Sequence, residues 1–531
     1  MPDRVSDAGR GHAIATPHAA ASAAGDAIFR RGGTAFDAAL AAAAALTVVY
    51  PHMCAVGGDI IALAATPDGV VRVVNGSGAA PASVSAERLA AQHGGMPLRG
   101  AHSVTVPGAV AAWETLRDLG GNCRFADLLE PAARIAEEGI AVAPSLARSL
   151  AAAEGRGELA ADEGMDEVFR PGGRVLTADD MLVQPALART LRALQANGAG
   201  ALYRGPVGAA IVARLNALGS PITTDDLAAH ATEVTDPLVG TFGDEEVLTA
   251  PPNSQGLLLL EILGAATRLG DVDLLGADAD LLAELFRLTA VDRDRHLADP
   301  RFADVPVAEL LSAGHAERLA QAAIARRTAA GVPSSPAPPK GSGDTIAVVA
   351  ADAAGNAVVI IQSVFSEFGA GILDPTTGVI LHNRGAYFSV DPASPNVIAG
   401  GKRPAHTLMP VLVRRDGRIV GVHGTMGGSA QAQIHAQLLL RTTRGEAPAD
   451  AVAAPRFIVG GIGVGGPADQ VLAEGRCGAD ERAAWAGAGF DVQALADFDD
   501  DAGHAQMIRI GAEGAFRVAT DPRSDGAALA G

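Results

Sequence analysis

A threonine hydroxyl is a weak nucleophile unless a base lies beside it, and a free N-terminal α-amine is one way to supply that base. Thr345 stands where such an amine could be made. It follows "PSSPAPPKGSGD", a stretch rich in breakers, and it opens the apolar run "TIAVVAA". Cutting the Asp344–Thr345 bond would give Thr345 its own α-amine, and the linker would let the new end move aside. Downstream, "GTMGGS" (Gly424 to Ser429) follows a strand-like run. Successive N–H groups at Gly427 and Gly428 can form a nest for a tetrahedral oxyanion. From spacing alone the plainer reading, a strand-initiating threonine and a glycine turn, is favoured.

Other motifs carry less. "GGIGVGG" contains a GxGxxG match at Gly461, Gly463 and Gly466, but Pro467 follows where a dinucleotide loop needs a helix. It reads as a glycine loop. "DFDDDAGH" (Asp497 to His504) lacks EF-hand spacing and reads as a solvated acidic loop. HExxH and GxSxG are absent, and the thirteen histidines show no zinc-like cluster. No metal and no cofactor are expected.

The elements that would hold Thr345 are legible on both sides of it. Pro17 to Arg31 and Thr34 to Val49 read as helices, the second with a capping box at Thr34 and Asp37. "GGDIIALAATPDGVVRVVNGSG" reads as a hairpin. From about 143 to 327 the pattern is mostly helical, and the linker spans about 329–343. Beyond it come short, nearly continuous apolar runs, Ile346–Ala351, Ala357–Ile361, Gly378–Leu381, Pro410–Val413 and Ile419–Val422, split by turns such as Gly355-Asn356. Runs of this kind suit strands buried on both faces, in stacked sheets under helices.

The 531 residues carry a formal charge of −19, which excludes a basic nucleic-acid surface. Three separated cysteines fit reduced thiols and a cytoplasmic protein. The N-terminus has no secretory pattern, and no apolar run reaches membrane-spanning length.

Ordered matches along nearly the whole chain resemble the γ-glutamyltranspeptidase family of N-terminal nucleophile hydrolases. They are "DAIFRRGGTAFDAALAAAAALTVVYPHMCAVGGD", "VPGAVAAW", "APPNSQGLLLLEIL", "DTIAVVAADAAGNAV", "KRPAHTLMP", "GTMGGS", "APRF" and "TDPRSDGAA". The resemblance implies a four-layer αββα fold and self-cleavage into a large subunit, 1–344, and a small subunit, 345–531. These could assemble further as a dimer of heterodimers. It places Thr345 at the nucleophile and Gly427-Gly428 at the oxyanion hole.

Several positions depart from glutathione-cleaving members. Ser77 stands where an arginine grips the substrate α-carboxylate, and Ile346 and Ala347 replace a second threonine and a histidine. His406 and Thr407 replace paired serines. Phe365 and Tyr387 replace the asparagine and aspartate that hold the α-amine. "IIQSVFSEFGAGI" and "LHNRGAYFS" instead resemble a branch that includes oxamate amidohydrolase. Arg384 in the second segment suits bidentate capture of a carboxylate, or else pairs structurally with Glu367 or Asp374. His406 is either a ligand-facing donor or a satisfied core histidine, and Thr407 shapes the site. The expectation is an acyl-enzyme amidohydrolase for a small, carboxylate-bearing amide such as oxamate. The alternatives are a true γ-glutamyl hydrolase or transferase, and a non-processing relative that only binds.

Overall fold

The computed structural model describes residues 4–327, 344–461, 463 and 467–531. The linker at 329–343 and Gly466 of the GxGxxG match lie outside the described residues.

Two seven-stranded antiparallel sheets form the middle of the molecule. The first runs Val5–Gly9, Phe516–Thr520, Ala505–Ile510, Arg418–Thr425, Val411–Arg415, Glu245–Thr249, Leu238–Phe242. The second runs Ala527–Ala530, His12–Thr16, Asp344–Asp352, Ala357–Phe365, Asp59–Ala65, Val71–Asn75, Glu233–Thr235. Thr345 thus lies in a central strand, paired with Ala357–Phe365 over most of its length and with His12–Thr16 from Val349 to Asp352.

Period-two alternation explains the layering. Ala347, Val349 and Ala351 join Val359, Leu412, Val422 and Ile508 in a core between the sheets. Ile346, Val348 and Ala350 face the other way, into a core with the helices Ala19–Phe29 and Ala35–Val49. The helices Gly256–Arg268, Ala279–His296 and Gln431–Thr443 cover the outer face of the first sheet through Val247, Val411 and Val413. The order is helix, sheet, sheet, helix, as expected for the αββα sandwich.

The capping box forms as read: Thr34 N–H donates to Asp37 (3.0 Å), and the Thr34 hydroxyl oxygen accepts from Asp37 N–H (3.4 Å). The hairpin near residue 67 forms too, from Asp59–Ala65 and Val71–Asn75. The reading of 143–327 as mostly helical needs one correction. Glu233–Thr235, Leu238–Phe242 and Glu245–Thr249 are strands that complete both sheets. The first two are partly exposed edge strands, so apolar periodicity is weak there. The acidic loop is solvated only in part: Asp497, Phe498 and Asp501 are exposed, but Ala502, Gly503 and His504 are buried, and Asp500 pairs with Arg148 at 2.6 Å.

Candidate active site

Thr345 is buried, and its amide is still part of the continuous strand Asp344–Asp352. The neighbouring strand folds back about the turn near Gly355, which pairs Ile346 with Gln362 and brings Ser363 beside Thr345. Thr345 Oγ1 donates to Ser363 Oγ at 3.3 Å. Ser363 Oγ in turn donates to the Asp344 carbonyl at 2.5 Å and accepts from the Phe365 N–H at 2.7 Å. One hydroxyl therefore orients the Thr345 oxygen and polarises the carbonyl next to it. Negative charge developing on that carbonyl would strengthen the second bond. Ser363 was missed in the sequence. The turn position could have found it, because reflecting Thr345 across the hairpin lands on Ser363.

Phe365 ends that strand with φ +80°, a conformation that costs a non-glycine residue energy and turns its ring toward Arg384. The Arg384 guanidinium lies 4.1 Å from the ring centroid, and Tyr387 meets the same ring edge-on at 5.8 Å. Arg384 is 1% exposed. Its Nη1 donates to Thr407 Oγ1 at 3.2 Å, while Nε and Nη2 have no partner among the described residues. Burial pulls its pKa down to about 10, against the opposing fields of Asp59 and Tyr387, so it stays cationic at neutral pH. The two structural partners weighed for Arg384 are engaged elsewhere. Glu367 meets Ser149 and Arg156, and Asp374 caps Thr377.

The glycine turn is tied to the same cluster. Gln255 Nε2 donates to the Thr407 carbonyl at 2.8 Å and to the Gly428 carbonyl at 2.9 Å. Gly428 has φ +51° and Gly427 φ +148°, and among the described residues neither N–H donates to a protein acceptor. Gly424, at the end of the strand leading in, faces Ala347 so closely that a Cβ there would sit 2.7 Å from the alanine methyl. That approach sets the distance between the two sheets just beyond Thr345. Gln255 was quoted in a motif but not singled out, since its role appears only once Thr407 and Gly428 are neighbours.

His406 is the satisfied core histidine of the two readings. Its Nδ1 accepts from Leu408 N–H (3.3 Å), and its Nε2 donates to Asp59 Oδ2 (3.2 Å), so neither ring nitrogen remains for a ligand. Burial lowers its pKa to about 3, so it is neutral at neutral pH. The correction follows from Asp59, the buried carboxylate that ends the quoted "CAVGGD" segment, which also takes the Gly78 N–H at 3.3 Å and lies 3.5 Å from His382. Burial works against the Asp59 charge, but the fields of His382, His406 and Arg384 hold its pKa below the usual range. Ser77 is locked in a network of its own, donating to Asn75 Oδ1 (2.7 Å) and accepting from Asn253 Nδ2 (3.1 Å).

The geometry thus forms a connected path from Thr345 through Ser363, Phe365, Arg384, Thr407 and Gln255 to Gly428. It brings together a hydroxyl, a cation that no carboxylate among the described residues meets in an ion pair, and unengaged backbone donors, a set suited to acyl transfer from an anionic amide.

The model of the family described as "Gamma-glutamyltranspeptidase" matches residues 21–531. The oxamate amidohydrolase proenzyme of Klebsiella pneumoniae is 39% identical, with 98% of each chain covered. The glutathione hydrolase-like YwrD proenzyme of Bacillus subtilis is 35% identical, over 97% of this chain and 98% of that one. Among solved structures, cephalosporin acylase from Bacillus halodurans superposes with a TM-score of 0.90 at 32% identity, covering 100% of this chain and 97% of the other.

Proposed function

The chain belongs to the γ-glutamyltranspeptidase family, and from that membership we propose a self-cleaving amidohydrolase for a small amide bearing one carboxylate, with oxamate as the model. The observation that carries the substrate class is Arg384, buried with two of its nitrogen atoms unpartnered among the described residues. A buried cation left without an anion is costly, and a ligand carboxylate received on the guanidinium fork would relieve that cost.

In the precursor, Thr345 Oγ1 attacks the Asp344 carbonyl carbon. The C–O bond forms, the C–N bond breaks, and the departing nitrogen takes the proton. Water then hydrolyses the ester, leaving Asp344 as a C-terminal carboxylate and Thr345 with a free amine. In the cleaved enzyme that amine accepts the hydroxyl proton as Thr345 attacks the substrate amide, and it passes the proton to the leaving nitrogen. The Gly427 and Gly428 N–H groups hold the oxyanion, and water releases the acid from the acyl-enzyme. His406, held by Asp59, fixes the backbone that carries Thr407.

A zwitterionic γ-glutamyl head group needs an anion for its amine and a cation for its α-carboxylate. Phe365 and Tyr387 fill the first place, and Ser77 is engaged within the protein. The test is kcat/KM for oxamate and related mono-acid amides against glutathione and γ-glutamyl anilides. Mono-acid amides are expected to be the better substrates; efficient glutathione cleavage overturns the assignment. For the oxyanion donors, Gly428→Val forces a β-branched residue into φ +51°. It is expected to lower kcat about 10²–10³-fold, and normal turnover in a folded, cleaved variant would place those donors elsewhere.

A further inference from the structure

Outside the active site, three helices meet around a buried acid that no described residue satisfies. Glu261, on Gly256–Arg268, is 2% exposed, and neither carboxylate oxygen has a hydrogen-bond partner among the described residues. Beside it stand Asp292 on Ala279–His296 and His315 on Ala313–Arg326, whose Oδ2 and Nε2 lie 3.1 Å apart. One ligand atom from each of the three falls within 4.8 Å of the others. Burial, with the nearby Asp292 charge, pushes Glu261 well above the usual carboxylate range. Protonation alone does not resolve the arrangement, because a neutral carboxyl would still bury its carbonyl oxygen with no donor among the described residues.

We propose that Glu261, Asp292 and His315 bind one divalent transition-metal cation of the zinc type, clasping together the three helices that precede the linker to Thr345. Two carboxylates and a neutral imidazole carry a charge of −2, which the cation balances. A mixed nitrogen and oxygen donor set favours zinc over the hard cations magnesium and calcium. Donors about 2.0–2.2 Å from zinc stand about 3.5 Å apart, so the side chains need to close by about an ångström. Asp292 and His315 retain 13% and 11% side-chain exposure, leaving a route in and a place for a fourth, water ligand. Binding also moves the imidazole proton. In the metal-free tautomer Nδ1 accepts from Arg318 at 3.2 Å and Nε2 donates to Asp292. With Nε2 on the metal the proton sits on Nδ1, and Arg318 turns away toward Glu309, 3.9 Å from it already. The three residues are far apart in the sequence, so no metal motif announces them.

The test is equilibrium dialysis of the purified full chain, stripped with chelator, against Zn²⁺, with the bound metal counted by elemental analysis. One equivalent per chain is expected. Both Glu261→Gln and His315→Ala are expected to weaken that binding by at least about tenfold, the lower end of what losing even an outer-shell partner costs. Zn²⁺ should also raise the unfolding midpoint of the wild type, and raise that of each variant by less at the same concentration. If one variant does not fold, the other carries the comparison. A wild-type chain that binds no Zn²⁺, or folded variants that bind it equally well, would overturn the proposal.

Discussion

Two buried arginines show the difference between a cation that holds a fold together and one that waits for a ligand. Arg523, in the C-terminal "TDPRSDGAA" segment, donates to Glu474 through Nε and Nη2, to Asp521 through Nη1, and to the carbonyls of Val452 and Ala454. Arg384 is as deeply buried, and among the described residues its side chain makes a single hydrogen bond, to Thr407. Burial draws both pKa values down. At Arg523 the two carboxylates outweigh it and the pKa rises; at Arg384 it falls to about 10. Equal burial with unequal satisfaction separates structure from function here, and burial alone would not.

The comparison can be broken first at its structural end. Arg523→Ala strips Glu474 and Asp521 of their shared cation, and removing one partner of a buried ion pair costs about 3–5 kcal/mol. Urea unfolding should show that loss, and a variant as stable as the wild type would mean that Arg523 is not structural. At the other end, Arg384→Ala should lose about 2–5 kcal/mol in transition-state binding of a mono-acid amide, read from kcat/KM. Unchanged kinetics on the best acid substrate would remove Arg384 from the site. The smallest effect sharpens the contrast. Arg384→Ala should shift unfolding stability by less than about 1 kcal/mol, the scale of its one hydrogen bond. A loss matching that of Arg523→Ala would make the two arginines equivalent.

Local chemistry was legible in the sequence, and juxtaposition was not. The Thr34 capping box, the hairpin of Asp59–Ala65 and Val71–Asn75, and the buried strand opening at Thr345 all rest on near neighbours in the chain. Ser363, Gln255 and Asp59 matter because of what the fold sets beside them. A glutamine before a helix and an aspartate closing a glycine-rich segment have no spacing that declares a role, and the hairpin turn sets Ser363 opposite Thr345 without showing that their hydroxyls meet. His406 shows the same limit, since its residue type allowed two readings and only the position of Asp59 chose between them. The strands Glu233–Thr235 and Leu238–Phe242 escaped because partly exposed edge strands carry weak apolar periodicity.

The central claim is that Thr345 becomes a nucleophile by freeing its own amine. Intact-mass analysis of purified protein, with no protease added, tests it most directly. Two fragments, 1–344 and 345–531, are expected from the wild type, with Thr345 at the new N-terminus, and a single uncut chain from Thr345→Ala. A wild-type chain that hydrolyses its amide substrate while remaining whole would contradict the account.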